Sequence, residues 1–196
     1  MPGANFALEA ARVVRAIPSP SEQRVVIVMQ AEVREGIIAA VVAAASGHRV
    51  ILNLAPFRQV DDATLAACDP LVVNQSDASA IVGFEVDTPE AARRTMAALL
   101  ARVRSCVITL GAEGAIWGDD AMVEHVVAPP VSAAVDTTGA GDAFVGALAS
   151  ELARGSTLSR ATGLGVKAGS FAVGRFGAQS SYPMRVDLLP DSVTAV

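Results

Sequence analysis

The string Asp136-Thr-Thr-Gly-Ala-Gly-Asp-Ala-Phe144 has the residue types that anion chemistry needs. Its small residues at positions 139–141 let a ligand come close to the backbone. The string leads into an alanine-rich stretch that predicts a helix, and the first turn of a helix presents unpaired N–H groups to an anion. A carboxylate there would repel a resting phosphate, so Asp142 is better explained as a base that takes a proton from an attacking hydroxyl. The structural alternative is an N-capping aspartate beside glycines that only permit a tight turn.

The elements that must position this string alternate along the chain. Short apolar runs predict buried parallel strands, and the amphipathic stretches between them predict covering helices. Together they predict an α/β fold with a mostly parallel sheet covered on both faces. The predicted strands are 24–29, 50–54, 70–73, 105–110, 114–118 and 122–127, and the predicted helices are 35–45, 61–68, 76–82, 89–103, 140–154 and 159–173.

Composition argues against several other classes of protein. A chain of 196 residues is long enough for one domain with a real core, and a net charge of −5 offers no basic surface to nucleic acid. The longest apolar run, Ile37 to Ala45, is shorter than the roughly 20 residues of a membrane span. Two cysteines make no disulfide framework, and no signal peptide is read at the start. We therefore expect a cytoplasmic protein without nucleic-acid or membrane partners.

The string at 136–144 resembles the C-terminal signature of the ribokinase family of sugar kinases, also called the PfkB carbohydrate kinases. Further segments resemble that family in the same order, so the resemblance covers essentially the whole chain. It implies a ribokinase-like (Rossmann-like) three-layer α/β/α fold. These segments are Gly3-Ala-Asn5, Met29-Gln-Ala-Glu32, Leu52-Asn-Leu-Ala-Pro56, Val73-Asn-Gln-Ser-Asp77 with Gly83 behind it, Val107-Ile-Thr-Leu-Gly111 with Gly114 behind it, and Arg175-Phe-Gly-Ala-Gln-Ser-Ser-Tyr-Pro183.

The resemblance implies catalytic and sugar-binding roles for five residues. Asp142 matches the family's catalytic base and also contacts the substrate hydroxyl. Gly139, Ala140 and Gly141 match its anion hole. Glu32 matches a carboxylate that contacts ribose, although a solvated residue just past a strand end is a serious alternative.

The resemblance also implies a site for ATP and Mg²⁺. Asn74, Thr109, Gly111 and Gly114 match positions that line the nucleotide. Asp77 matches a residue that is linked to magnesium through water. The family usually has Glu at that position, and Asp is one methylene shorter, so the metal geometry there is open.

A third implied site holds a monovalent cation, K⁺ in ribokinases. Carboxylate, hydroxyl and carbonyl oxygens suit such an ion, which can order the loop beside an anion hole without touching substrate. The matching positions are Asp136, Thr138, Ala172, Arg175, Gly177 and Ser181.

The resemblance begins at a point that lies well inside the chain of a ribokinase. It implies that residues 1–196 form a single C-terminal nucleotide-binding and catalytic portion. The family's first strands, its glycine-pair sugar motif and its β-lid have no match here. We therefore expect an exposed sheet edge, through which the chain can form a homo-oligomer.

The function implied is ATP-dependent phosphorylation of a primary hydroxyl of ribose, impaired in this short form. One alternative is another sugar or nucleoside kinase of the same family. A second is a non-catalytic nucleotide-binding remnant. The partners expected are a small sugar and ATP.

Overall fold

A single six-stranded sheet organises the protein, and its strands lie side by side in sequence order. The computed structural model describes residues 3–184, 187 and 189–190. The first four strands are parallel, and the last two are antiparallel to their neighbours. The strands are β1 (Val26–Gln30), β2 (Arg49–Asn53), β3 (Cys68–Asn74), β4 (Cys106–Thr109), β5 (Ala115–Gly118) and β6 (Val123–Val126).

Helices connect the strands and cover the sheet. Because successive parallel strands are added in one direction and crossovers are right-handed, the connecting helices all fall on one face. The last two long helices cover the opposite face. The helices are α1 (Gly3–Phe6), α2 (Ala10–Arg15), α3 (Glu35–Ala44), α4 (Asp62–Ala66), α5 (Gln75–Val82), α6 (Pro89–Leu100), α7 (Ala140–Ala153) and α8 (Leu158–Val173).

Two apolar cores lie on the two faces of the sheet. Side chains alternate along each strand, so in β3 Leu71 and Val73 join one core while Val72 joins the other. The first core includes Met96 of α6, and the second includes Leu148 of α7. The predicted three-layer α/β/α fold with a mostly parallel sheet is therefore confirmed.

Two predicted helices, 61–68 and 89–103, are too long at their C-terminal ends, and the second, α6, already ends at Leu100 with Ala101 as its C-cap. The Asp61 side chain accepts a hydrogen bond from the Thr64 N–H at 2.9 Å and so begins α4 as predicted. The helix ends at Ala66, because Cys68 already pairs with Val50 as the first residue of β3. Sequence patterning also gave no sign of α1 and α2.

The first strand, β1, forms one edge of the sheet, and its Val28 side chain is 44% exposed. Self-association through this edge stays a prediction. Within the described residues, no helix is both long and apolar enough to cross a membrane.

Candidate active site

Polar side chains gather where the parallel strands end. Gln30 ends β1, Asn53 ends β2, Asn74 ends β3 and Thr109 ends β4. The strand register pairs Gln30 with Asn53 and Asn74 with Thr109, so all four lie along the same edge. In open α/β sheets, ligands bind outside this carboxyl edge.

The N-terminus of α7 meets the same edge and offers free backbone donors. Gly139 is its N-cap with a φ of +80°, which glycine adopts without strain. The Ala140 N–H donates to the Thr137 carbonyl at 3.2 Å, and the Ala143 N–H donates to Gly139 at 2.9 Å. Within the described chain the N–H groups of Gly141 and Asp142 have no such partner. Two adjacent free donors at the positive end of a 14-residue helix are suited to bind an anion.

Asp142 lies in the first turn of α7, and both of its carboxylate oxygens accept a hydrogen bond. Gln30 donates from Nε2 to Oδ1 at 2.8 Å, and the Tyr182 hydroxyl donates to Oδ2 at 3.2 Å. Burial raises the pKa of Tyr182, and the charge of Asp142 and its hydrogen bond raise it further. Sequence reasoning assigned no role to Gln30 or Tyr182. The signals present were that Gln30 follows a predicted strand and that both residues lie in segments resembling the family, 29–32 and 175–183.

A groove of about 540 Å³ runs from Asp142 along β1. Asn5, Gln30 and Glu32 line it together with Asp142, and most of its other walls are apolar. The structure therefore brings Glu32 and Asp142, the two predicted sugar-contacting carboxylates, to one groove. The side chain of Glu32 is exposed.

The four predicted nucleotide-binding positions have different local roles. The Asn74 side chain caps α5 by accepting the Asp77 N–H at 2.8 Å, and Thr109 ends the neighbouring strand. Gly111 has a φ of +57° and open space around it, so a ligand can approach its backbone. Gly114 is required by packing, because a Cβ there would collide with the carbonyl oxygen of Val126.

Asp77 is the acidic residue predicted to reach magnesium through water. It is only 8% exposed, and its Oδ1 accepts the Phe57 N–H at 2.8 Å. Its Oδ2 is buried and has no partner among the described residues. Burial raises the pKa of Asp77, while hydrogen bonds from Phe57 and Asn74 oppose that shift. An unpartnered carboxylate oxygen fits a bound water of a hydrated Mg²⁺.

The predicted cation ligands lie around the loop that follows α8. Asp136 accepts the Thr138 N–H at 2.9 Å through Oδ1 and the Gly177 N–H at 3.0 Å through Oδ2. These bonds, led by those from Thr138, lower the pKa of Asp136. Ser181 is fully buried and donates to the Ala178 carbonyl at 2.6 Å.

The backbone closes the same loop, since the Arg175 N–H donates to the Ala172 carbonyl at 3.0 Å and the Asp136 N–H donates to Val173 at 3.2 Å. Carbonyl, hydroxyl and carboxylate oxygens are therefore concentrated here, and this donor set fits a hard monovalent cation. The part of the chain that the structure describes holds no cluster of three or more His, Cys, Asp or Glu side chains suited to a metal.

Known proteins that are similar to this chain in sequence include sugar kinases. The chain is 35% identical to the deoxyribokinase of Salmonella typhi over 139 residues, which is 70% of this chain and 45% of that protein. It is 34% identical to the ribokinase of Mus musculus over 197 aligned positions, covering 95% of this chain and 59% of the relative. The chain thus spans about half the length of the curated relatives it matches.

Solved structures agree with the sequence relatives. The ribokinase of Thermotoga maritima superimposes with a TM-score of 0.78 at 27% identity, over 94% of this chain and 61% of that one. The ribokinase of Arabidopsis thaliana, solved in complex with ribose and ATP, gives a TM-score of 0.75 at 26% identity, over 81% and 52% of the two chains. The model of the pfkB family of carbohydrate kinases matches residues 4–185. Fold, motif order and this match agree, and the chain belongs to the pfkB family of carbohydrate kinases.

Proposed function

We propose that this chain is the nucleotide-binding and catalytic portion of a kinase that transfers the γ-phosphoryl group of ATP to a primary hydroxyl of ribose. The observation that carries the proposal is Asp142, a carboxylate in the first turn of α7 beside two free N–H groups and facing a groove. A base next to an anion site is the arrangement that transfer of a phosphoryl group to a hydroxyl needs.

The reaction uses Asp142 as the base. The acceptor hydroxyl lies in the groove with its proton toward the Asp142 carboxylate. Its oxygen forms a bond to the γ-phosphorus as the bond from that phosphorus to the β,γ-bridging oxygen breaks, and ADP leaves. The hydroxyl proton passes to Asp142. The N–H groups of Gly141 and Asp142 stabilise the charge on the transferred group.

The nucleotide lies along the carboxyl edge, with Asn74 and Thr109 toward its phosphates. Asn74 ends β3 two residues past Val72, which is level with Gln30 of β1, so two strand spacings and this offset put Asn74 and Gln30 roughly 12 Å apart. That separation leaves room for a triphosphate between the ATP side and the acceptor side. Asp77 would hold Mg²⁺ through water, and the ion would neutralise phosphate charge. Asp136 and the loop around Gly177 would hold K⁺ next to the anion site.

The choice of ribose rests on the relatives and on the groove. One relative is a ribokinase, and another protein of the same fold was solved with ribose and ATP. Asn5, Glu32 and Asp142 supply hydrogen-bonding groups for a polyhydroxylated acceptor. Another sugar or nucleoside acceptor remains the alternative substrate.

A second candidate function is nucleotide binding without transfer. The largely apolar groove and the exposed Val28 on the edge strand favour it, because the acceptor side is open to water. For both candidate functions we expect weak ATP binding. If the chain is a kinase, we expect its turnover to be far below that of an ordinary sugar kinase.

The two candidates are separated by single-turnover transfer at high protein concentration. Labelled γ-phosphate of MgATP is followed into ribose phosphate, other sugar phosphates and inorganic phosphate, and ATP binding is measured by calorimetry. We expect slow formation of ribose phosphate that Asp142→Asn abolishes without changing ATP affinity, while the matched control Asp120→Asn changes neither. Binding without any sugar phosphate supports the second candidate. Absence of ATP binding, or full transfer by Asp142→Asn, refutes the kinase proposal.

A further inference from the structure

We propose that Gln30 and Tyr182 are positioning residues that hold the Asp142 carboxylate in one orientation, each through a hydrogen bond to a different carboxylate oxygen. The proposal rests on the proposed role of Asp142 as the base. Gln30 belongs to the first strand of the sheet and Tyr182 to the loop that follows α8, so two distant parts of the chain meet on one carboxylate.

Gln30 is fixed by the sheet. It is the last residue of β1, and its backbone is in register with Asn53 of β2. Its side chain lies on the same side of the strand as Val26, which packs into the core under α7. The Nε2 atom therefore reaches Asp142 Oδ1 at 2.8 Å across 112 positions of sequence. That distance is typical of a hydrogen bond to a charged acceptor.

Tyr182 is fixed by the loop around it. It follows a short 3₁₀ turn, Gln179–Ser181, and its N–H donates to the Gln179 carbonyl at 3.3 Å. Its ring lies against Gly139, where an added Cβ would be 2.9 Å from the ring atom Cε1. The absence of a side chain at Gly139 thus lets the tyrosine hydroxyl reach Asp142 Oδ2.

The two bonds restrict rotation of the carboxylate without using up its capacity as a base. Each carboxylate oxygen can accept two hydrogen bonds, so each keeps one acceptor site for a substrate hydroxyl. Loss of either donor frees the carboxylate to rotate, and small misplacements of a reacting group can cost up to about 100-fold in rate. For one donor out of two we expect about a tenfold loss in the transfer step, because the other donor remains.

The contact itself is tested by NMR of the side-chain amides in the chain as it exists. The Gln30 NH₂ signals are assigned by their loss in Gln30→Leu. We expect these signals to move in Asp142→Asn and, by a smaller amount, in Tyr182→Phe. The control Asp120→Asn should leave them in place. Gln30 signals that stay unchanged in Asp142→Asn overturn the proposal.

The consequence is tested by comparing the transfer rate at saturating MgATP with ATP affinity. Gln30→Leu, Gln30→Met and Tyr182→Phe should each transfer about tenfold more slowly, with the dissociation constant of ATP within twofold of its original value. Gln30→Met keeps roughly the length of the side chain and adds no charge, but it removes the donor. The control Gln23→Leu alters an exposed glutamine in a loop. If the unaltered chain transfers no phosphoryl group to a sugar, the proposed function is refuted. In that case the Gln30 amide signals still show whether Gln30 and Tyr182 hold the Asp142 carboxylate. Unchanged rates in a chain that does transfer overturn the positioning role.

Discussion

Gly139 and Gly155 form a matched pair that measures how tightly the loop after α8 packs on the candidate anion site. Both glycines have nearly the same backbone, with φ of +80° and +81°. Their surroundings differ. A Cβ on Gly139 would lie 2.9 Å from Tyr182 Cε1 and 3.0 Å from Ala178 Cα, whereas a Cβ on Gly155 would meet nothing within 4 Å.

The free energies expected for the two alanine variants follow from these contacts. Alanine at a positive φ costs about 1–2 kcal/mol, and both variants carry this cost. Only Gly139→Ala must also displace neighbouring atoms, and overpacking of this kind costs about 1–3 kcal/mol. We therefore expect Gly139→Ala to lower the free energy of unfolding by about 1–3 kcal/mol more than Gly155→Ala does.

Equilibrium unfolding in urea, followed by the fluorescence of the single tryptophan, Trp117, measures both losses. Trp117 is only 3% exposed, so its emission changes when the core opens. If both variants lower the free energy of unfolding by the same amount, Tyr182 and Ala178 are not packed closely against Gly139, and the reasoning is refuted. ATP calorimetry adds a functional readout, because only Gly139→Ala displaces the donors at the start of α7 and should weaken binding.

Three further predictions concern packing and titration. In α8, Gly165→Ala should lower the free energy of unfolding by about 1–3 kcal/mol, because its Cβ would lie 2.9 Å from the ring of Phe144 in α7. Gly163→Ala should raise that free energy by up to about 1 kcal/mol, because its Cβ would meet nothing within 4 Å. Unfolding in urea compares the two variants. Tyr182 is the only tyrosine, so ultraviolet absorbance should show it titrating above its usual pKa of 10.0, with Asp142→Asn lowering the midpoint part of the way back. Since the pKa of Asp136 is lowered on folding, its contribution to stability is present above 3.8 and is lost as pH falls through the folded value. The unfolding free energy of Asp136→Asn should therefore fall less on acidification.

The fold and the centre of the site could be predicted because both are encoded locally. Apolar runs and helix caps depend only on neighbouring residues. The string at 136–144 predicts that α7 begins at residue 140, and the helix does begin at Ala140. The donors to Asp142 could not be found in this way. Gln30 is 112 positions from Asp142 and Tyr182 is 40 positions away, so only tertiary packing brings them together.

Asp77 illustrates the same limit for electrostatics. Its place at the start of α5 follows from the Asn74 cap, which is a local pattern. Its burial and its bond to Phe57 depend on how the loop after β2 folds over it. The sequence therefore predicts the carboxylate but not its raised pKa.

The order of the strands affects when the site can form during folding. Every strand pairs with its neighbour in sequence, so the sheet can grow stepwise from contacts of modest sequence separation. The bond from Gln30 to Asp142 is different, because α7 must return from the far side of the sheet to β1 before it closes. A chain that has formed only its sheet therefore has no aligned carboxylate. The Asp142 carboxylate is therefore aligned only late in folding, and its alignment reports that folding is complete. Removing residues from either end of the chain should disturb this alignment before it unfolds the core.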